Sequence, residues 1–321
     1  MSLKRFISSL LLATLAAHAA FAQTFPGKPI RIVVPFGAGG VADLTARTVA
    51  QKLSESLGAP VVIDNKPGAG GVVAGDTVAK AEPDGYTLLL ISNGTAVSSN
   101  LFKSLPFDTV RDFAPVSTLG YFDIAVIVPA DSKFKTLAEL LAFARTNPGK
   151  LNLGSINIGS TQNLAAELFK TSSGTDVQIV PFNGTPAVIT ALRGGQIDVA
   201  VEILGPMLPQ IKAKAVRALA VTGEKRAAVL PDVPTAKESG LPTFVVSSWN
   251  ALAAPAKTPK NVIDRLNKDV VAALNAPDVK KKLLDLNVEA RASSPEQASE
   301  LLASEIKRWG EVITRAKIPK Q

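Results

Sequence analysis

Short β-branched runs, each closed by a proline or a glycine-rich turn and followed by a helical stretch, recur along this chain. That alternation limits the fold more than any single residue does. Residues 30–34 (Ile-Arg-Ile-Val-Val) end at Pro35 and read as a buried strand. Phe36-Gly37-Ala38-Gly39-Gly40 turns the chain. From 43 to 57 the residues Leu44, Val49, Leu53 and Leu57 fall near helical spacing, and Gly58 stops the helix. Residues 60–63 are a second strand; Pro67-Gly68-Ala69-Gly70-Gly71 and a short helix ending near Ala81 follow; 86–91 is a third strand. Strand and helix in alternation mean right-handed βαβ units and a mainly parallel sheet.

The pattern then restarts. Residues 124–128 are a strand closed by Pro129, 137–145 a helix and 151–155 a strand; Gly159-Ser160-Thr161 opens another helix to about Ser172. Three more strands follow at 178–180, 197–201 and 216–221. After a strand at 249–253 only one short strand, near Val288, interrupts helices at 259–274, 277–286 and 295–316. A helical tail of that kind cannot bury its apolar faces alone, so it is expected to return to the first sheet. The expected fold is α/β in two lobes: 23–123 plus 250–321 form one, 124–249 the other, and the chain crosses near 121–126 and 245–250. Such crossings make hinges, with a ligand cleft between the lobes.

Composition narrows the chemistry. Lys4 and Arg5, an apolar run of about a dozen residues and Ala20-Phe21-Ala22 make a secretory signal, with cleavage expected near Ala22-Gln23. The run is too short to cross a bilayer, which takes roughly 20 apolar residues. The signal, 1–22, holds the only histidine, His18, and the chain has no cysteine. The exported protein therefore has no His-based acid–base catalysis, no thiol chemistry, no disulfide and no lipidated cysteine. Roughly 300 residues suffice for a core of two domains. The charge without Lys4 and Arg5 is +6, with basic residues spread along the chain, a solvated surface rather than a nucleic-acid footprint.

Gly37-Ala38-Gly39-Gly40-Val41-Ala42 fits G-x-G-x-x-G/A, with Asp64 closing the next strand, and three readings are open. A dinucleotide site is opposed by export and by Asp43, which would repel a pyrophosphate. The glycines can serve the turn alone. Alternatively, the helix N-termini after Gly40 and Gly159, one per lobe, hold a carboxylate on free N–H groups, aided by the hydroxyls of Ser160 and Thr161.

The string from Phe25 to Asp43, Phe-Pro-Gly-Lys-Pro-Ile-Arg-Ile-Val-Val-Pro-Phe-Gly-Ala-Gly-Gly-Val-Ala-Asp, resembles the opening of the Bug-type extracytoplasmic receptors of tripartite tricarboxylate transporters. Further similar blocks are Asp64-Asn-Lys-Pro-Gly-Ala-Gly-Gly71, Pro83-Asp-Gly-Tyr-Thr-Leu88, Leu219-Ala-Val-Thr222, Leu230-Pro-Asp-Val-Pro-Thr235 and Trp249-Asn-Ala-Leu-Ala-Ala-Pro255. The resemblance implies a two-lobed periplasmic binding protein of the Venus-flytrap kind; with its signal and no Cys, the mature chain is expected to be a soluble monomer, without cofactor. The resemblance also implies closure over a small carboxylate and delivery to a two-component membrane permease. The grip it implies comes from the loop after the first strand (Phe36, Ala38, Gly39, Gly40, Asp43), the turn after the third (Ser92, Gly94, Thr95) and second-lobe loops (Gly159, Ser160, Thr161; Phe182, Asn183, Gly184).

The chain departs from the family at two places and keeps an acid at a third. Asn163 stands where His is common, and Phe182-Asn183-Gly184 where Tyr-Lys-Gly is common. Glu202 falls where an acid is common, near the expected cleft. Fewer cationic donors imply a mono- or dicarboxylate rather than a tricarboxylate, with Phe182 favouring an apolar portion and Glu202 an amine. The competing readings are a sensor feeding a signalling protein and a secreted enzyme working on carboxylates such as Asp198 and Glu202.

Overall fold

The computed structural model describes residues 25–315 and 318–321. The signal, its cleavage site, His18 and the expected last helical residue, Ala316, lie outside them. Strand β1 (Ile30–Val34) pairs in parallel with β2 (Val61–Asn65) on one side and β3 (Thr87–Ser92) on the other. Helix α1 (Val41–Leu57) connects β1 to β2 and ends at Gly58, whose φ of 65° only glycine takes without strain. Helix α2 (Val72–Ala79) leads into β3. These elements follow the order read from the sequence.

Helix α3 (Asn93–Leu101) was not expected: Asn-Gly-Thr-Ala-Val-Ser-Ser-Asn-Leu carries no apolar stripe. Its start is fixed by reciprocal capping. Ser92 Oγ accepts from the Gly94 N–H at 3.1 Å and Thr95 Oγ1 from the Ser92 N–H at 3.1 Å.

The largest departure is β4, which runs for 17 residues from Phe113 to Pro129. That is about 56 Å at ~3.3 Å per residue. Sequence reading placed a strand only at 124–128, because Pro115 and Gly120 resemble turn residues. In the structure register shifts at Pro115/Ser117 and Thr118/Gly120 absorb both. Gly120 also admits the crossing of β10 (Val288–Ala290): a Cβ there would lie 2.7 Å from the Glu289 carbonyl oxygen.

Strand β4 belongs to two sheets. From Phe113 to Asp123 it pairs antiparallel with β9 (Ser247–Pro255), and at Ile124 its partners become β7 (Val199–Ile203) and β8 (Val216–Val221). The first sheet has the order β2-β1-β3-β9-β4-β10. The second holds β8, β4, β7, β5 (Asn152–Ile156) and β6 (Gln178–Phe182), with β5 parallel to β6 and β7. The expectation of a mainly parallel sheet is thus corrected. Parallel βαβ units form the flanks, and the long strands joining the lobes pair antiparallel between them. A strand returning from the other lobe runs against its neighbour by necessity.

The second sheet is covered by α4 (Leu137–Thr146), α5 (Thr161–Ser173), α6 (Thr185–Arg193) and α7 (Leu204–Lys212). The tail helices α8 (Lys260–Asn275), α9 (Pro277–Asp285) and α10 (Pro295–Arg315) return to the first lobe. There α8 packs on α1 and β4, and α10 on α3 and β4, with Trp309 and Leu266 wholly buried. The result is a two-lobed α/β architecture.

Candidate functional site

Strands β1, β3, β5, β6 and β7 all end at one place, and each is followed by a helix starting there. In α/β proteins the carboxyl ends of the strands and the helix N-termini beyond them form the ligand crevice. Here the crevice is a small cavity between the lobes. Gly40 with Val41 and Ala42 of α1 line it from the first lobe; Thr161 and Gln162 of α5, and Gly184 with Thr185 of α6, line it from the second. Neither Gly40 nor Gly184 caps its helix with a side chain; the Val41, Ala42 and Asp43 N–H groups of α1 have no partner among the described residues, whereas in α6 Pro186 has no N–H and Ala187 donates to the Gly184 carbonyl at 3.1 Å, which leaves the Thr185 N–H. Phe36, Phe122, Ile156 and Ile203 supply apolar walls. No Lys, Arg, Asp or Glu is among the lining residues.

The lobes stand in contact around this space. A side-chain carbon on Gly37 would lie 3.1 Å from the Asn183 carbonyl oxygen, and one on Gly94 3.3 Å from that of Gly159. This is a closed arrangement in which glycines let backbone meet backbone.

Of the residues singled out from the sequence, Phe36, Gly40, Ser92, Thr161 and Gly184 line the cavity. Gly94 and Thr95 fix the Ser92 cap. Ser160 caps α5 by accepting from the Asn163 N–H at 3.1 Å, and buried Gly159 meets the first lobe. Ala38 and Gly39 are exposed, at the outer edge of their turn. Phe182 and Asn183 line a separate outer crevice with Gly68, Phe102 and Gln321. Asn163 is buried, with its Nδ2 3.4 Å from Ser155 Oγ, and borders a third crevice beside Ile318 and Gln321.

Asp43 is engaged within its own lobe. Its oxygens accept from the Gly39 N–H at 3.0 Å, from Arg47 Nε at 3.0 Å and from Asn65 Nδ2 at 2.9 Å. Burial pushes its acidity down, but the Arg47, Gly39 and Asn65 hydrogen bonds outweigh it and hold the carboxyl below its ordinary pKa. With those oxygens engaged, Asp43 braces the glycine turn so that the N–H groups beyond it face the cleft.

Glu202 does not line the cavity, but its partners do. Its Oε2 accepts from Thr185 Oγ1 at 3.1 Å and from the Ile203 N–H at 2.9 Å, while Oε1 is buried without a partner among the described residues. Complete burial pushes its pKa up to about 7 against the hydrogen bonds from the Ile203 N–H and the Thr185 hydroxyl. An amine on the ligand would meet Thr185 and Ile203 at the cavity wall, with the Glu202 carboxyl behind them.

Sequence reading missed Gln162, Thr185, Phe122, Ile203, Ser248 and Asn250, all of which line the cavity. One signal was available: Ser248 and Asn250 are polar residues around Trp249 in an otherwise apolar strand, and a polar residue buried in a strand needs a partner. Ser248 Oγ and Thr161 Oγ1 lie 3.1 Å apart. Thr161→Ala is expected to weaken ligand binding about tenfold, the scale of one hydrogen bond to a charged group. Calorimetry showing unchanged affinity would remove that hydroxyl from the site.

The family model described as tripartite tricarboxylate transporter family receptor matches residues 45–318. Protein BugT of Bordetella pertussis is 35% identical over 91% of this chain and 90% of its own length. Among solved structures, one from R. palustris with adipate superposes with a TM-score of 0.88 at 33% identity, covering 92% of this chain and 99% of that one. MatC from Rhodopseudomonas palustris with bound malate gives a TM-score of 0.86 at 33% identity, covering 90% and 100%. A match across most of the chain in sequence and in fold, with a cleft built from helix N-termini, makes this chain a member of the tripartite tricarboxylate transporter receptor family, a solute-binding receptor of the Bug type.

Proposed function

We propose that the protein is a periplasmic receptor, not an enzyme, that closes two lobes over a short mono- or dicarboxylate and presents it to a two-component membrane permease. The observation that carries this reading is the convergence of uncapped helix N-termini from both lobes on a cavity lined by no ionisable side chain. Such ends bring partial positive charge and N–H donors to a carboxylate without an Arg clamp. Each lobe offers only part of the contacts, so the ligand favours the closed form. The hinges are 121–126 and 245–250, where β4 exchanges β9 for β7 and where the Val246 N–H, bonded to the Thr222 carbonyl at 2.8 Å, leads into β9. The relatives solved with malate and adipate support a dicarboxylate. Asp198 and Glu202 support no hydrolytic pair: Asp198 is spent on the Asn152 N–H at 2.8 Å, at the start of the strand that carries Glu202 near its end.

A melting-temperature panel of citrate, four- to six-carbon dicarboxylates, short monocarboxylates and amino acids tests the proposal. Dicarboxylates are expected to raise the melting temperature most, and scattering with the best of them to show a smaller radius of gyration. Citrate as the strongest stabiliser would overturn the ligand class. No shift with any carboxylate would overturn the carboxylate-receptor reading.

A further inference from the structure

Asn250 lies in the middle of β9, between Trp249 and a run of buried alanine and leucine. It is 1% exposed and pairs in register with Ser92 of β3 and Gly120 of β4. It lines the cavity, yet neither Nδ2 nor Oδ1 has a hydrogen-bond partner among the described residues. A buried amide with both ends unpaired is costly and stands out in a native fold. Whichever way the amide is turned, it presents one donor and one acceptor to the same small space.

A plain carboxylate cannot meet that demand. It offers acceptors only, so it would satisfy the amide nitrogen and leave Oδ1 facing another oxygen. The ligand must also bring a donor. An ammonium would do so, but the N-terminal ends of α1, α5 and α6 repel a cation and no carboxylate lines the cavity to balance one. A carboxamide is neutral but needs two more heavy atoms than a hydroxyl in a narrow space. A hydroxyl beside the carboxylate meets the requirement with one atom. We propose that Asn250 is the specificity-determining residue of the cleft and that it selects short carboxylates bearing a hydroxyl group next to the carboxylate. The inference rests on the carboxylate-receptor reading above.

Matched pairs separate the two. Calorimetry on the purified protein would compare malate (both enantiomers) with succinate, 2-hydroxyadipate with adipate, and lactate with propionate. The hydroxylated member of the pair that binds is expected to bind at least ~10-fold tighter, since a site built to pair a hydroxyl discriminates against the analogue lacking it. In Asn250→Leu and Asn250→Ala that preference is expected to shrink to within about threefold, mostly through loss of the hydroxylated ligand. A purely structural role would weaken both members alike and leave their ratio unchanged, and that result overturns the proposal. So does a wild-type protein with no preference for the hydroxylated member, even if neither variant folds. If carboxylates bind without preference, only this inference fails. If no carboxylate in the panel binds, the carboxylate-receptor reading fails and takes this one with it.

Discussion

Gly159→Ala is expected to lower ligand affinity about 100-fold, equivalent to about 2.7 kcal/mol, while leaving a folded protein. Gly159 ends the β5–α5 turn of the second lobe with φ +85°, and a Cβ on it would lie 2.9 Å from Gly70 Cα in the first lobe. That distance is too short for two carbons, and the obstacle is backbone, which cannot rotate away. Gly70 itself is tied down, because Ser98 Oγ donates to its carbonyl oxygen at 2.6 Å. The lobes would have to part at the point where their main chains meet, and the helix N-termini of the two sides would no longer reach one ligand together. The substitution also carries a local cost of about 1–2 kcal/mol for a non-glycine residue in the left-handed region. Gly174→Ala separates the two effects. Gly174 caps α5 with φ +62°, and among the described residues a Cβ on it would meet nothing within 4 Å. Both variants are expected to lose similar stability in thermal melts, and only Gly159→Ala to lose affinity by calorimetry. Equal affinities in the two would show that closure does not bring these turns together.

The sequence declared most strands and helices, because their apolar periods are strong and their ends carry glycine or proline. It hid what depends on contacts distant in the chain. Strand β4 was half legible, since Pro115 and Gly120 break the pattern locally and only the register shifts against β9 and the crossing of β10 make room for them. Helix α3 was invisible because its small polar residues serve close approach: Ser98 reaches Gly70, and Asn100 Nδ2 donates to the Ile306 carbonyl at 2.8 Å. The cleft was legible where it is built from glycine turns and helix starts. It was illegible where β9 contributes, because Ser248 and Asn250 enter the site only when a strand late in the chain inserts between β3 and β4. The loop of Phe182 and Asn183 sits beside Gly184 as read, but residue spacing alone could not say which side chain turns inward. Gly184 and Thr185 face the cavity, while Phe182 and Asn183 border the outer crevice.

Glu202 carries the remaining large effect, and its sign follows from linkage. The folded protein holds this carboxyl at a pKa of about 7, whereas its ordinary value is 4.5. The fold therefore favours the protonated form. The stability this contributes is fully present below about pH 4.5, where folded and unfolded chains are both protonated. It is lost as pH rises through 7, because the unfolded chain sheds its proton first. At 1.36 kcal/mol per pH unit of difference, the loss between pH 5 and pH 8 comes to about 2–3 kcal/mol. Glu202→Gln keeps the shape and an acceptor for the Thr185 and Ile203 donors without the ionisation. Urea unfolding at pH 5 and pH 8 is expected to show the variant gaining about 2–3 kcal/mol on the wild type over that interval. Binding should respond in the same direction. The ionised carboxyl contacts Thr185 and Ile203, which line the cavity, so a negative charge there opposes a bound anion across a short distance. Wild-type affinity for the best carboxylate should then fall above pH 7, and that of Glu202→Gln should stay level. Parallel stability curves for the two proteins would mean that the Glu202 side chain reaches water or a cation, and that it is no uncompensated buried acid.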